Sequence, residues 1–265
     1  MEDYRLDVYL KTYNYAETRE MARQLILNSN VYVNDKLIQK PSFKVNTDDN
    51  IEVKQSYAYV SRGASKLEKA VKYFNIDIKD KIAVDIGAST GGFTDFLIKN
   101  NAKKVYAIDV GHDQLHESLK NNTRVINLEK TNFRYIDPSI FNESIDIITT
   151  DVSFISLKYI LHKIVEISHV ETDIIVLIKP QFEAGRQNIG KNGIVKDKNV
   201  HLDVLNKIRT YCNENGLYLK DVTFSPIKGG DGNIEYLGYI KKGINLSSTV
   251  ENKFKDLILQ AFELK

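Results

Sequence analysis

Short apolar runs of strand length recur along most of the chain, near residues 81–86, 104–109, 124–128, 145–151, 173–179, 217–224 and 234–241, and segments with helical apolar spacing separate most of them. Ile82-Ala83-Val84 and Ile174-Ile175-Val176-Leu177-Ile178 are continuous rather than alternating, as suits strands covered on both faces. Strands alternating with helices predict an α/β fold built on a mostly parallel, seven-stranded sheet. The last two runs differ, because only the irregular segment 225–233 joins them, so they are expected to pair as a C-terminal antiparallel hairpin.

The first 55 residues follow another rhythm. Arg5-Leu6-Asp7 opens a helix; Thr18 is placed to cap a second one, with Glu20 in its first turn and Ala22, Leu25 and Ile26 as its apolar stripe. Arg19 and Arg23 lie one turn apart, off that stripe. Asn28-Ser29-Asn30 precedes Val31-Tyr32-Val33, which alternates like a strand; Asn34-Asp35 supplies a turn, and Ile51-Glu52-Val53 alternates again. The expected organisation is a small α+β module over residues 1–55, a linker over 56–62 and a large domain over 63–265. The large domain opens with a helix whose stripe is Leu67, Ala70 and Val71; Lys66 immediately precedes it and faces either water or a site.

Composition narrows the class. The 265 residues include one cysteine, Cys212, which excludes a disulfide framework. No apolar run approaches 20 residues and no apolar stretch follows a basic start, so a cytoplasmic protein without a membrane association is expected. The net charge of +2 means that nucleic acid would be held by local patches and not by a global field. Even the small module carries eight Lys or Arg against nine acids, so Arg19 and Arg23 form either a solvated charged face or a phosphate-facing pair.

The densest chemistry sits in Val84-Asp85-Ile86-Gly87-Ala88-Ser89-Thr90-Gly91-Gly92-Phe93-Thr94-Asp95, a strand end, a glycine-rich turn and a helix start. A dinucleotide fingerprint needs glycine at its second position to admit a pyrophosphate. Ser89 stands there, and Asp85 precedes the first glycine, where an acid would repel a pyrophosphate but accept hydrogen bonds around a methionine amino group. The next strand ends in Asp109, suited to a ribose diol. The pattern points to S-adenosylmethionine and away from NAD.

Two further strands end in ionisable residues, Asp151 and Lys179. A charge closing an apolar strand must meet a partner or a cavity; the two either pair to close the sheet edge or belong to an active site. With Gly87, Asp109 and Asn132 they fall at the carboxyl ends of the strands, where open α/β sheets bind ligands. Residues 180–200 are rich in Gly and Lys and contain Arg186, and they read either as a lid or phosphate surface or as an ordinary surface loop.

The small module resembles the S4 RNA-binding domain. Ser61-Arg62-Gly63-Ala64-Ser65-Lys66-Leu67, the glycine turn, Thr150-Asp151-Val152-Ser153-Phe154-Ile155-Ser156 and Ile178-Lys179-Pro180-Gln181-Phe182-Glu183-Ala184-Gly185-Arg186 are similar to the TlyA (hemolysin A) family across essentially the whole chain. That resemblance implies an S4 domain followed by a Rossmann-like, FtsJ-like S-adenosylmethionine-dependent methyltransferase domain. It also implies 2′-O-methylation of cytidine in ribosomal RNA of either or both subunits. It further implies a catalytic tetrad of Lys66, Asp151, Lys179 and Glu235. Cofactor contacts are expected from Asp85, Gly87, Ser89, Gly91, Phe93, Asp109, Asn132 and Asp151, and RNA contacts from Arg5, Arg19, Arg23 and Arg186. Ala64 stands where the family often has glycine, and Asn132 where FtsJ enzymes often have an acid.

In that tetrad Lys179 is expected to deprotonate or orient the hydroxyl, Asp151 to position Lys179 and the methyl end of the cofactor, and Glu235 to hold Lys66 or the substrate ribose. No metal is expected, since a sulfonium leaving group needs none. A pore-forming reading fails for lack of a membrane span or amphipathic strand array. An RNA-binding assembly factor with an idle methyltransferase fold is the remaining alternative.

Overall fold

The computed structural model describes residues 3–16, 19–27, 30–53, 59–190, 192–229, 232–245 and 249–264. It divides into two compact units, residues 1–58 and 59–265. The expected cap Thr18, the side chain of Glu20, Asn28 and Ser29, linker residues 56–58, Lys191, and Gly230-Asp231 of the hairpin connection lie outside the described residues.

In the first unit the strands are β1 (Tyr4–Arg5), β2 (Val31–Val33), β3 (Lys36–Leu37), β4 (Lys44–Val45) and β5 (Ile51–Val53), and the helices α1 (Leu6–Thr12) and α2 (Arg19–Leu27). β2 lies between β3 and β5, and β1 pairs with β4. The stripe of α2 points inward as its spacing requires: Ala22, Leu25 and Ile26 are at most 1% exposed and pack with Leu6, Leu10, Val31 and Val33. Asn34 and Asp35 both adopt left-handed φ, 49° and 62°, and so make the tight turn between β2 and β3.

The second unit contains α3 (Ala64–Phe74), β6 (Ile82–Ile86), α4 (Gly92–Lys99), β7 (Lys104–Ile108), α5 (Glu117–Lys120), β8 (Val125–Leu128), β9 (Ile147–Thr150), α6 (Lys158–Ile167), β10 (Asp173–Ile178), α7 (Pro180–Glu183), α8 (Lys198–Glu214), β11 (Leu217–Phe224), β12 (Tyr236–Lys242) and α9 (Phe254–Phe262). The seven strands of its sheet run in the order β11-β12-β10-β9-β6-β7-β8. All five residues of β6 are buried between two helical layers, including the continuous apolar run Ile82-Ala83-Val84 that the sequence predicts to be covered on both faces. Leu67 and Ala70 of α3 join Phe96 and Leu97 of α4 over one face, and Ile160, Ile164, Val204 and Ile208 cover the other.

β12 inserts between β11 and β10 and is antiparallel to both, whereas the β10–β9, β9–β6, β6–β7 and β7–β8 pairs are parallel. Apart from β11 the strands are slightly shorter than the apolar runs, and the trimming has a pattern. Gly87, Asp109, Asp151 and Lys179 each follow the last residue of their strand. Glu235 immediately precedes β12, whose reversed direction brings its beginning to the same edge of the sheet. Segment 180–200, expected as a loop, starts instead with the one-turn α7, because Pro180 ends β10 and has the fixed φ that suits a first helical position.

Candidate active site

At that edge two lysines and two acids form a continuous chain. Lys66 Nζ lies 2.7 Å from Glu235 Oε2 and 3.8 Å from Asp151 Oδ2, and Lys179 Nζ lies 2.6 Å from Asp151 Oδ1. Glu235 is 2% exposed and both lysines 8%. Four formal charges can be withdrawn from water together because they alternate in sign and sum to zero. All four residues of the expected tetrad therefore meet, from α3, β9, β10 and β12. Of the two roles left open for Glu235, the geometry gives it the grip on Lys66. Gln181 Nε2 donates to its other oxygen at 3.4 Å.

The glycine turn sits beside this chain. Gly87 has φ 81°, and a Cβ there would lie 2.7 Å from the Asp151 carbonyl oxygen, so only glycine lets the β6 turn approach the end of β9. Gly91, with φ 93°, precedes the first turn of α4. Asp109 is aimed by two backbone donors, Ser89 N–H at 2.8 Å to one oxygen and Gly111 N–H at 2.7 Å to the other. Each oxygen keeps a lone pair for a vicinal diol. Asn132 is exposed beyond β8, and its side chain accepts from the Arg134 N–H. A glycine-lined turn and an oriented, half-buried carboxylate fit the methionine and ribose parts of S-adenosylmethionine.

Two expected cofactor contacts are placed differently. Asp85 is 1% exposed, and its oxygens accept from the hydroxyls of Thr94 at 2.7 Å and Thr149 at 3.0 Å, so it braces the turn from beneath rather than lining the cleft. Phe93 is 4% exposed and packs in the core with Ala64 and Leu67. A glycine-rich turn marks where a ligand sits, but not which of its neighbours point inward.

Burial pushes the Asp85 carboxyl up to about 6, with the two threonine hydroxyls pulling the other way and Asp151 adding repulsion. With an unfolded value of about 3.9, the folded protein keeps a proton between about pH 4 and 6 that the unfolded chain has lost. Stability from this group is therefore present below pH 4, declines as pH rises through that window and is lower by about 3 kcal/mol above it. Asp85→Asn should raise the melting temperature at pH 7.5 and leave it nearly unchanged at pH 4, while weakening S-adenosylhomocysteine binding. Equal shifts at both pH values would contradict the burial account.

Several residues that the sequence did not single out complete the site. Ser153 Oγ accepts from Lys179 Nζ at 2.8 Å. Phe154 is 91% exposed with left-handed φ of 63°, costly for a bulky residue, and its ring lies 5.1 Å from that of Phe182. Glu183, its carboxyl pushed up by burial, accepts from the Ser156 hydroxyl at 2.6 Å and the Leu157 N–H at 2.8 Å. Segment 179–183 thus clasps segment 151–157 at three points. Only the crowding of polar residues in both segments hinted at this.

In the first unit Arg5, Arg19 and Arg23 line a hollow of about 730 Å³ together with Asp7, Pro41 and Ser42. Asp7 is 3% exposed and binds Arg5 through both oxygens, at 3.0 and 3.2 Å, and Arg19 at 3.0 Å. These cations lower the Asp7 pKa against the opposing effect of burial. Arg23 is exposed and has no hydrogen-bonding or ionic partner among the described residues. Arg186 is likewise exposed, in a short helical turn after α7.

The sequence profile of the FtsJ-like methyltransferases matches residues 59–242, and that of the S4 domain matches residues 5–51. The chain is 48% identical to the Bacillus subtilis protein YqxC over 235 residues, 88% of this chain and 84% of that one. It is 36% identical to the Mycobacterium tuberculosis 16S/23S rRNA (cytidine-2′-O)-methyltransferase TlyA over 239 residues, 89% of each chain. A solved Streptococcus thermophilus structure, 40% identical, superimposes with a TM-score of 0.80 over 99% of this chain and 97% of its own.

Proposed function

The chain belongs to the TlyA (hemolysin A) family of FtsJ-like methyltransferases that carry an S4 domain, and from that premise we propose that it methylates the ribose 2′-hydroxyl of cytidine in ribosomal RNA. The observation that carries the reading is the alternating chain Glu235–Lys66–Asp151–Lys179, set at the strand edge beside the glycine turn.

Bound S-adenosylmethionine supplies an electrophilic methyl group on a sulfonium. The turn from Gly87 to Gly91 and the first turn of α4 would hold its methionine end, Asp109 its ribose hydroxyls and Asn132 its adenine side, with Asp85 and Phe93 supporting the turn from below. Lys179 would take the 2′-hydroxyl proton and so leave that oxygen able to accept the methyl group that the cofactor supplies. Asp151 orients Lys179, while Glu235 keeps Lys66 in place as the second cation around Asp151. Phe154 offers its face to the target base, a contact that suits an unstacked nucleotide.

RNA affinity comes in part from the S4 unit, where Arg19 and Arg23 face phosphate and Asp7 fixes the direction of Arg5 and Arg19. The test is methyl transfer from labelled S-adenosylmethionine to unmethylated small- and large-subunit RNA, with modified riboses mapped, beside RNA binding by the Arg19→Ala/Arg23→Ala protein across salt concentrations. A 2′-O-methylcytidine product and a salt dependence reduced by about two phosphate contacts are expected. Tight cofactor and RNA binding with no transfer to either RNA would identify an assembly factor instead.

A further inference from the structure

The nitrogen of Lys179 has three bonding directions besides its bond to Cε, and the protein occupies two of them. One is directed at Asp151 Oδ1, 2.6 Å away, and the other at Ser153 Oγ, 2.8 Å away. A neutral amine has two N–H groups and one lone pair; if the carboxylate and the hydroxyl accept both N–H groups, the lone pair is left in the third direction. One acceptor alone would not achieve this, because the amine could still rotate about a single fixed hydrogen bond. Asp151 cannot supply the second acceptor, since its Oδ2 is turned to Lys66 at 3.8 Å. Among the described residues the amine has no further hydrogen-bonding or ionic partner, and the Phe182 ring lies 5.8 Å away at its centroid, which leaves the hydroxyl to set the rotation.

We infer that Ser153 is a positioning residue for the reaction: its hydroxyl, acting with Asp151, aims the Lys179 lone pair at the ribose 2′-oxygen. The inference rests on the reading of Lys179 as the proton acceptor. Ser153 itself gains and loses no proton. Lys179, an ammonium in the resting chain of alternating charges, first releases a proton to solvent; the 2′-O–H proton then moves to the neutral amine and restores the ammonium, while Asp151 and Ser153 accept hydrogen bonds throughout. The local backbone suits this task. Ser153 lies two residues beyond Asp151, and the left-handed turn at Phe154 with the Glu183 clasp at Ser156 and Leu157 fixes the path of the segment that carries it.

The test compares Ser153→Ala, Ser153→Thr and Lys179→Ala in single-turnover methylation of ribosomal RNA at saturating cofactor. S-adenosylhomocysteine affinity, the RNA concentration dependence and a melting curve are measured for each. Ser153→Ala is expected to slow the chemical step about 10- to 100-fold, the scale of one misaimed hydrogen bond. Cofactor affinity, half-saturating RNA and melting temperature should stay within about twofold or one degree of the parent values. Ser153→Thr, which restores a hydroxyl on the same carbon, should recover most of the rate.

A Ser153→Ala protein at parental rate beside an inactive Lys179→Ala protein would overturn the role of Ser153 and leave Lys179 as the acceptor. An active Lys179→Ala protein would remove the reading beneath both. A threonine variant as slow as alanine would assign the loss to packing of the segment. A change confined to half-saturating RNA would make Ser153 an RNA contact.

Discussion

Lys179→Ala is expected to lower methyl transfer at least about 10³-fold while cofactor and RNA binding stay nearly intact, because a proton acceptor contributes mainly in the transition state. Lys179→Arg should fail almost as badly. Arginine keeps the charge and can still pair with Asp151, but it remains protonated and its planar fork cannot reproduce the two-acceptor geometry around a tetrahedral nitrogen. If Lys179 served only to neutralise Asp151, the arginine variant would stay active and only the alanine variant would melt earlier. Rates measured beside melting curves decide between the two, and a stable, active Lys179→Arg protein would refute the catalytic role. Alanine should cost only modest stability, since Asp151 is partly solvated and keeps Lys66 within 3.8 Å.

Gly87→Ala should be nearly as damaging through a different cause. A Cβ at Gly87 meets the Asp151 carbonyl oxygen at 2.7 Å and its carbon at 3.1 Å, and a left-handed φ of 81° adds about 1 kcal/mol for any L-residue. Backbone cannot swing aside as a side-chain end can, so the turn and the end of β9 must separate. That moves the cofactor cradle and the carboxylate that holds Lys179 together. Displacement on the ångström scale at a reacting centre costs about 10²-fold in rate, and cofactor affinity should fall with it. Gly216→Ala is the control: its φ of 68° carries similar strain, but no atom lies within 4 Å of the added carbon. Calorimetry with S-adenosylhomocysteine and single-turnover rates should show losses for Gly87→Ala alone; equal losses in both variants would assign the effect to φ strain.

The legible parts of the fold were those written in short-range patterns. Buried parallel strands announce themselves as continuous apolar runs, and an ionisable residue closing such a run, as Asp109, Asp151 and Lys179 do, has few places to go except a ligand site. Lys66 was harder, because it immediately precedes the apolar stripe of its own helix and a helix lysine is usually solvated. Family motifs placed it in the tetrad, and its burial depends on Glu235, 169 residues further along. Asp85 shows the converse error: its spacing from the glycines marks a cofactor turn, but whether a carboxylate lines a cleft or lies beneath it depends on Thr94 and Thr149, which no local pattern reveals. Ser153 and Glu183 were within quoted motifs yet had no assigned task, since their roles consist of contacts between two strand-end segments. Asp7 was read as part of a helix start, and only the folded unit shows one buried acid holding two arginines.

The placement of β12 carries a consequence for how the enzyme comes into being. Four parallel strands and β10 are made before it, yet the fourth tetrad member lies at its beginning, so a chain still being synthesised holds Lys66 and Asp151 without the acid that grips Lys66. Until β12 arrives, β10 also presents an unpaired edge, the kind of surface that invites aggregation or strand exchange. On the proposed mechanism, activity and protection of that edge would thus be acquired in one late event. If Glu235 acts as proposed, a ribosome-bound intermediate of this enzyme would be catalytically silent, able to modify ribosomal RNA only after the strand that completes its sheet has been threaded into place.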